Sequence, residues 1–222
     1  MFLANRAVMG FHLHMVKTAP DYSFETDATA RRYSRIVGVD EVGRGPLAGP
    51  VTACAVWLDP NRIPDGLNDS KALTEKRRIM LYEQIMEVAD VSIASCSVEE
   101  IDEINILQAS LRAMERAVAG LSVAADYVLV DGNKIPKAFG VDAEAIVKGD
   151  ARSVSISAAS IVAKTWRDSL MVDLAQQHPG YGWEKNAGYG TKLHLDGLRN
   201  LGVTPHHRRS FKPVHNILYQ DK

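Results

Sequence analysis

The fold is decided by the stretch Val39-Asp40-Glu41-Val42-Gly43-Arg44-Gly45-Pro46. It places two adjacent carboxylates, Asp40 and Glu41, between a β-branched run and a glycine-rich turn. Neighbouring side chains of a regular strand point to opposite faces, so both acids can serve one site only where the strand ends and the backbone bends. Gly43 and Gly45 supply that bend, and they let a ligand approach the main chain closely because glycine has no Cβ. The stretch therefore predicts half of a divalent-metal site beside a main-chain recognition surface.

The apolar runs on both sides of this stretch predict two neighbouring strands in the centre of a sheet. Residues 35–39 lead in as RIVGV, and residues 51–58 lead out as VTACAVWL. Both runs are rich in the β-branched residues that strands favour. An Asp-Glu pair before a turn is commonly a solvated cap, but charges between two buried strands need a partner or an ion. The flanks therefore favour the metal-site interpretation.

Length and composition are those of a folded domain. With 222 residues and 46% hydrophobic content, the chain can bury a full core. No apolar run approaches the roughly 20 residues needed to span a bilayer. We expect a domain at 34–215 that ends in a small helical portion, a poorly ordered extension at 1–33 and a short tail at 216–222.

The charge and the cysteines narrow the function classes. A formal net charge of −1 argues against a protein that holds nucleic acid by a global positive field, so such binding must come from a local patch. Cys54 and Cys96 lie in apolar, strand-like runs without metal-ligand spacing. This placement fits small buried hydrophobes in a reducing compartment, and we expect a cytoplasmic location.

Hydrophobic periodicity predicts an α/β domain around a central sheet. Strands are predicted at 35–41, 50–58, 91–97, 126–130 and 144–148, and helices at 74–89, 98–119, 155–177 and 191–201. Ser97 and Glu100 have the spacing of a capping box in front of the second helix.

Two further carboxylates follow predicted strands. Asp131 comes directly after residues 127–130 and precedes Gly132, and Asp150 follows residues 145–149 before a serine-rich helix start. If these strands neighbour the first, all these acids gather at one edge of the sheet, where repulsion raises their pKa values unless cations neutralise them. Oxygen-only ligands favour magnesium or manganese over zinc. Such a cluster suits metal-assisted hydrolysis of a phosphodiester.

Six short sequence blocks follow one another in order between about residues 36 and 213. They are VDEVGRGPL at 39–47, LNDSK at 67–71, VDGN at 130–133, VKGD at 147–150, ISAASIVAK at 156–164 and HHRRSF at 206–211. This ordered set resembles bacterial ribonuclease HII. The resemblance implies an α/β, ribonuclease H-like fold with a central mixed β-sheet flanked by helices and a small helical C-terminal portion. It also implies hydrolysis of the RNA strand in RNA/DNA hybrids and cutting 5′ to a lone ribonucleotide in duplex DNA. The products would carry 3′-hydroxyl and 5′-phosphate ends.

The resemblance also implies roles for individual residues. It places Mg²⁺ or Mn²⁺ ligands at four positions, Asp40, Glu41, Asp131 and Asp150. The partner it implies is nucleic acid, with no membrane, and we expect a monomer.

The recognition residues of the family have counterparts here as well. Gly43, Arg44 and Gly45 match the turn that senses the ribose 2′-hydroxyl, the group that distinguishes RNA from DNA. Tyr189 matches the tyrosine that packs on the next, deoxy sugar and so detects the RNA-to-DNA junction.

Lys71 and Lys185 are candidate phosphate contacts, with ordinary solvated lysine as the alternative.

The basic stretch at 206–209 allows three interpretations. Its two histidines, with His194 and His215, suggest zinc, but the usual short ligand spacing is missing. A phosphate-facing basic patch is favoured, and it predicts binding that weakens with salt. Alternatively, Arg208 and Arg209 pair with acids and hold the C-terminal segment in place.

Two rival functions are compatible with parts of the sequence. Residues 43–49 could form a nucleotide cradle, but the third glycine of a dinucleotide fingerprint is misplaced, the Gly-Lys-Ser/Thr ending of a P-loop is missing and another strand-like run follows. The other rival is an inert nucleic-acid-binding protein, which the presence of all four acids disfavours.

Overall fold

A five-stranded mixed sheet lies at the centre of the computed structural model, which describes residues 19–219. Its strands are β1 (Ile36–Val42), β2 (Val51–Trp57), β3 (Asp90–Cys96), β4 (Tyr127–Asp131) and β5 (Asp142–Ile146). They lie in the order β3-β2-β1-β4-β5. The first three strands along the chain pair antiparallel, while β4 pairs parallel with both β1 and β5. The carboxyl ends of β1, β4 and β5 therefore meet at the same edge.

Helices cover both faces of this sheet. They are α1 (Ser23–Ala30), α2 (Glu75–Val88), α3 (Val98–Ala119), α4 (Val154–Gln177), α5 (Trp183–Asn186), α6 (Lys192–Leu201) and α7 (Lys212–Tyr219). Alternation along β2 sends Ala53 and Ala55 into the core beneath α3, whereas Cys54 and Val56 enter the core beneath α2 and α4. The near-continuous apolar run of β2 thus reflects burial on both faces.

Helix α4 packs directly onto β1, and a glycine makes this approach possible. A Cβ at Gly38 would lie 2.2 Å from the carbonyl carbon of Ser155. The first turns of α4 contribute small buried residues, including Ala158, Ala159 and Ala163. This close packing fixes the start of α4 relative to the strand that carries Asp40.

The predicted elements are confirmed with small shifts at their ends. The largest shift is at β5, predicted at 144–148 and found at 142–146. The capping box is present, since Glu100 N–H donates to Ser97 Oγ and Ser97 N–H donates to Glu100 Oε2. Cys54 and Cys96 are both free and buried, as predicted.

Both predicted ends of the domain need correction. Part of the expected poorly ordered extension forms α1, because Glu25 and Ala28 are fully buried against the rest of the fold. The expected boundary at 215 falls inside α7, whose Val214 is also buried. Residues 1–18 and 220–222 of those two segments lie outside the described residues. Within residues 19–219, no helix has both the length and the apolar composition that crossing a membrane requires.

Candidate active site

Four carboxylates converge at the edge of the sheet where β1, β4 and β5 end. Asp40 and Glu41 lie near the end of strand β1, Asp131 ends β4, and Asp150 lies in a 3-10 turn at Gly149–Ala151 that follows β5. We refer to these four side chains as the carboxylate cluster. The structure brings together the acids that the sequence placed after three separate strands.

Strand register explains the convergence. In the parallel ladder of β1 and β4, Val39 lies opposite Val130, so Asp40 and Asp131 are the next residues along on neighbouring strands. Asp131 in turn lies opposite Ile146, the last residue of β5. The acids share an edge because parallel strands bring their carboxyl ends to the same side.

The turn that carries Asp150 is tied to Asp131. The main-chain N–H of Gly149 donates to Asp131 Oδ1 at 2.7 Å, and that of Asp150 donates to the same oxygen at 3.4 Å. Lys148 has the left-handed φ of +58° that begins this turn. Asp131 therefore orients Asp150 through main-chain hydrogen bonds as well as by charge.

Asp40 lies deepest in the cluster, with 6% of its surface exposed. Burial raises the pKa of its carboxyl well above the usual range, and the charges of Glu41, Asp131 and Asp150 raise it further. A hydrogen bond from Ser160 opposes part of this effect. A cation placed here would relieve both the desolvation and the repulsion.

The pKa values of two other members are raised for similar reasons. Burial raises the pKa of Glu41, the Arg44 guanidinium 3.1 Å away lowers it in part, and Asp131 raises it again. Burial, Asp131 and Asp69 raise the pKa of Asp150. The cluster therefore concentrates negative charge that the protein only partly compensates.

Lys71 is one source of compensation. Desolvation by itself lowers the pKa of its ammonium group, but the fields of Asp40, Asp150, Asp69 and Asp131 outweigh this and raise it. The side chain is exposed and faces the same negative field. The sequence block that contains Lys71 is thus brought to the cluster.

The donor set of the cluster consists of oxygen atoms alone, which is the chemistry that Mg²⁺ and Mn²⁺ prefer. Among residues 19–219, no three His, Cys, Asp or Glu side chains already form an arrangement that would hold a metal ion. The cluster therefore has the charge and the chemistry for a divalent cation without a preformed cage.

Arg208 holds the glycine-rich turn next to the cluster. Its fully buried guanidinium donates to the carbonyl oxygens of Gly43, Arg44 and Gly49 at 2.5, 3.0 and 2.9 Å. Burial lowers the pKa of this group to about 9. The predicted phosphate-facing role is wrong for Arg208, because its donors are committed to main-chain carbonyls inside the protein. It does hold the C-terminal segment in place, but through carbonyls and not through acids.

A second buried arginine, which was not predicted from the sequence, holds the other side of the same loop. Arg167 of α4 donates to the carbonyl oxygens of Pro50, Ala48 and Ala187 at 3.0, 3.1 and 3.0 Å. Burial lowers its pKa to about 10. Its burial could have been predicted from its spacing of four residues from Met171, which puts both side chains on the buried face of α4.

Tyr189 lies beside the glycine-rich turn. A Cβ at Gly45 would come within 3.1 Å of Tyr189 Cε1, and 47% of the tyrosine surface is exposed. Leu47 N–H donates to the carbonyl of Gly188 at 2.8 Å, which joins the two loops. The two predicted recognition elements therefore form one surface.

A groove of about 870 Å³ begins at Tyr189 and runs between α2, α4 and α5. Lys185 lines it, together with Trp166 and Lys164, and no member of the carboxylate cluster does. The structure thus places Lys185 on the Tyr189 side of the site, while Lys71 lies on the carboxylate side.

Two buried histidines, His194 and His207, have fixed tautomers and support the main chain of Tyr189. Trp183 Nε1 can only donate, and it donates to His194 Nε2 at 3.0 Å, so His194 carries its proton on Nδ1 and donates to the Tyr189 carbonyl at 3.0 Å. Thr204 N–H donates to His207 Nδ1, so His207 Nε2 carries the proton and donates to His194 Nε2 at 3.1 Å. The zinc interpretation is wrong for this pair, because their facing nitrogens bond to each other.

The mixed sheet, its helical faces and the edge cluster of acids define the class of ribonuclease H-like nucleases. A family model described as Ribonuclease HII matches residues 37–214. The Ribonuclease HII of Ruegeria pomeroyi is 68% identical over 204 residues, which cover 92% of this chain and 87% of that protein. The chain belongs to the Ribonuclease HII family.

Solved structures agree with this assignment. The ribonuclease H2 from Pyrococcus horikoshii has a TM-score of 0.71 and 26% identity, covering 85% of this chain and 100% of that chain. Bst-RNase HIII, solved in complex with Mn²⁺, has a TM-score of 0.66 at 18% identity, over 85% of this chain and 70% of its own, and shares the fold. The protein is an endonuclease that hydrolyses the RNA strand of RNA/DNA hybrids.

Proposed function

We propose that this ribonuclease H also cuts 5′ to a single ribonucleotide in duplex DNA, using Mg²⁺ or Mn²⁺ held by the carboxylate cluster. The observation that carries the proposal is the convergence of four acids whose desolvation and repulsion raise the pKa of Asp40. The Mn²⁺ complex of Bst-RNase HIII, a protein of the same fold, supports the choice of ion. The reaction would leave 3′-hydroxyl and 5′-phosphate ends and serve ribonucleotide removal from DNA.

The bound ion would supply a water of lowered pKa and stabilise the attacking and leaving oxygens of an in-line displacement. The protein residues keep that site in place. Asp131 accepts the Gly149 N–H and so orients the turn that carries Asp150. Lys71 compensates negative charge next to Asp40, in the position expected for contact with a phosphate of the cut strand.

Substrate recognition would rest on main-chain groups and one ring. Arg208 fixes the carbonyls of Gly43 and Arg44, which presents the turn at Gly43–Gly45 in one conformation to the ribose 2′-hydroxyl. Tyr189 lies against this turn and would pack on the sugar that follows. A ribose there would press a hydroxyl group against the ring, so an RNA-to-DNA junction is preferred. Lys185 would contact a phosphate on that side.

The two rival functions differ in what they predict. The nucleotide-cradle hypothesis is contradicted by the fold, since residues 43–49 lead into strand β2 and not into a helix. Incubation with duplex DNA that contains one ribonucleotide distinguishes a nuclease from an inert nucleic-acid-binding protein. We expect a cut 5′ to that nucleotide only when Mg²⁺ or Mn²⁺ is added.

Asp131→Asn tests the ligand assignment, because it removes the ligand charge with little change in volume. We expect cleavage to be abolished while the circular dichroism spectrum is retained. Glu87→Gln, a carboxylate-to-amide change at an exposed position on α2 outside the groove and the cluster, is the matched control and should cleave normally. Full activity of Asp131→Asn would refute the assignment.

A further inference from the structure

Helix α1 lies before the residues that the family model matches, 37–214, yet it contacts the active-site region. Its Glu25 side chain has no exposed surface. A fully buried carboxyl group is costly unless it is hydrogen-bonded, so its partners identify what it does.

Both hydrogen bonds of the Glu25 carboxyl group come from the start of α4. Glu25 Oε1 accepts from Ser153 Oγ at 2.6 Å and from the main-chain N–H of Ser155 at 3.0 Å. Ser153 Oγ also accepts from Ile156 N–H at 3.3 Å, which caps α4. One oxygen atom of α1 thus stabilises the positive end of a long helix.

The same contacts reach the turn that carries Asp150. The main-chain N–H of Ser153 donates to the carbonyl of Gly149 at 2.8 Å, so the residue held by Glu25 also closes the Asp150 turn. The chain just before α1 adds a parallel bridge, in which Asp21 N–H donates to the Arg152 carbonyl at 3.1 Å.

We propose that Glu25 is a positioning residue that holds the Asp150 turn at the carboxylate cluster and thereby sets the affinity for the divalent ion. The inference rests on the proposed function, in which Asp150 is a ligand. Glu25 restrains the Asp150 turn on its C-terminal side through Ser153, while Asp131 restrains it on its N-terminal side through Gly149. Without the bonds to Glu25, the turn loses one of its restraints and the ligand is less well preorganised.

The test compares Glu25→Ala with Glu25→Gln and with Ala28→Gly in the full-length protein. Gln keeps an oxygen acceptor for Ser153 and Ser155, whereas Ala removes it. Ala28→Gly destabilises the same helix at a buried position but keeps the Glu25 carboxyl group that accepts from Ser153 and Ser155. Three properties are measured: Mn²⁺ affinity of the substrate-free protein by calorimetry, amide hydrogen exchange of residues 149–156, and the Mn²⁺ concentration for half-maximal cleavage.

For Glu25→Ala we expect Mn²⁺ affinity to fall about tenfold, a size typical for loss of a residue that orients a metal ligand. Exchange at residues 149–156 should accelerate, and high Mn²⁺ should restore most of the cleavage rate. Glu25→Gln should restore the affinity, and Ala28→Gly should leave it unchanged. If Glu25→Ala lowers only the melting temperature and keeps wild-type Mn²⁺ affinity, the positioning role is overturned.

Two further variants keep the outcome decisive. If Glu25→Ala does not fold, Ser153→Ala removes one of the two donors and should weaken Mn²⁺ binding in the same direction; unchanged affinity then overturns the proposal. Asp150→Asn separates the two levels of inference. If Asp150→Asn itself binds Mn²⁺ and cleaves normally, the proposed ligand role has failed, and the Glu25 proposal fails with it.

Discussion

The ring of Tyr189 lies against Gly45, so closely that a methyl group at this position would have to displace the ring slightly. A Cβ at Gly45 would stand 3.1 Å from Tyr189 Cε1, tighter than ordinary van der Waals contact. These residues are far apart in the chain, yet one belongs to the turn expected to read the 2′-hydroxyl and the other to the position expected to read the next sugar. Their contact sets the distance between the two proposed recognition groups, the glycine-rich turn and the tyrosine ring.

We predict that Gly45→Ala displaces the tyrosine ring and lowers the preference for an RNA-to-DNA junction by about tenfold, roughly 1.4 kcal/mol. Tyr189→Ala should lower the same preference while hybrid binding changes less. The measurement compares cleavage rates on a single-ribonucleotide duplex and on a uniform RNA/DNA hybrid. Equal loss on both substrates would count against the junction role.

Arg208→Lys should destabilise the fold and impair cleavage together. A lysine cannot reproduce three directed bonds to carbonyl oxygens, and a lost bond to a charged donor costs about 1.5–3 kcal/mol. We expect a loss of about 3 kcal/mol in the free energy of unfolding by denaturant. Arg209→Lys is the control at an exposed neighbour, and its effect should stay within about 0.5 kcal/mol. An Arg208→Lys variant with wild-type stability and cleavage would contradict the role of Arg208 in holding the glycine-rich turn.

Asp40→Asn should stabilise the metal-free protein at neutral pH. The folded-state pKa of Asp40 is raised above its unfolded value, so the folded state binds more protons between the two values, and stability falls as pH rises through that window. We expect a melting temperature higher than wild type by about 3 °C or more at pH 8, roughly 1 kcal/mol for a chain of this size, with the gap closing under acid conditions. Adding Mg²⁺ should raise the wild-type melting temperature more than that of the variant. A gap that widens in acid would reject this account.

The buried histidines should give stability the opposite pH dependence. Burial lowers the pKa of His207 to about 3, whereas unfolded histidine titrates near 6.5. The unfolded state therefore binds more protons between these values, and stability is lost as pH falls below about 6.5. His207→Gln should flatten this part of the profile, while His215→Gln at an exposed site on α7 should not. Chemical unfolding between pH 5 and 8 measures both.

Much of the fold could be predicted because its signals are local. The run before Asp40 and the run before Asp131 are apolar and end in glycine turns, so strand positions and their acids could be read together. Their gathering at one edge needed only the assumption that the strands are neighbours, and the register of β1 with β4 bears this out.

The burial of single polar residues could not be read in the same way. Arg208 looked like a phosphate contact because its acceptors lie more than 150 residues earlier in the chain, and a residue type does not reveal whether a cation faces solvent or carbonyls. Helix α1 was missed because it is short and polar, and its anchor, Glu25, depends on the distant Ser153. Such contacts follow from tertiary packing, which no periodicity encodes.

One guanidinium, that of Arg167, bonds both to Ala48 beside the glycine-rich turn and to Ala187 beside Tyr189. The surface proposed to distinguish a lone ribose from its deoxy neighbours is therefore anchored in the protein interior. Loosening it requires loss of the interior itself, so a damaged molecule should stop cutting before it begins to cut ordinary DNA. Under the proposed function, loss of cleavage would therefore come before loss of substrate discrimination.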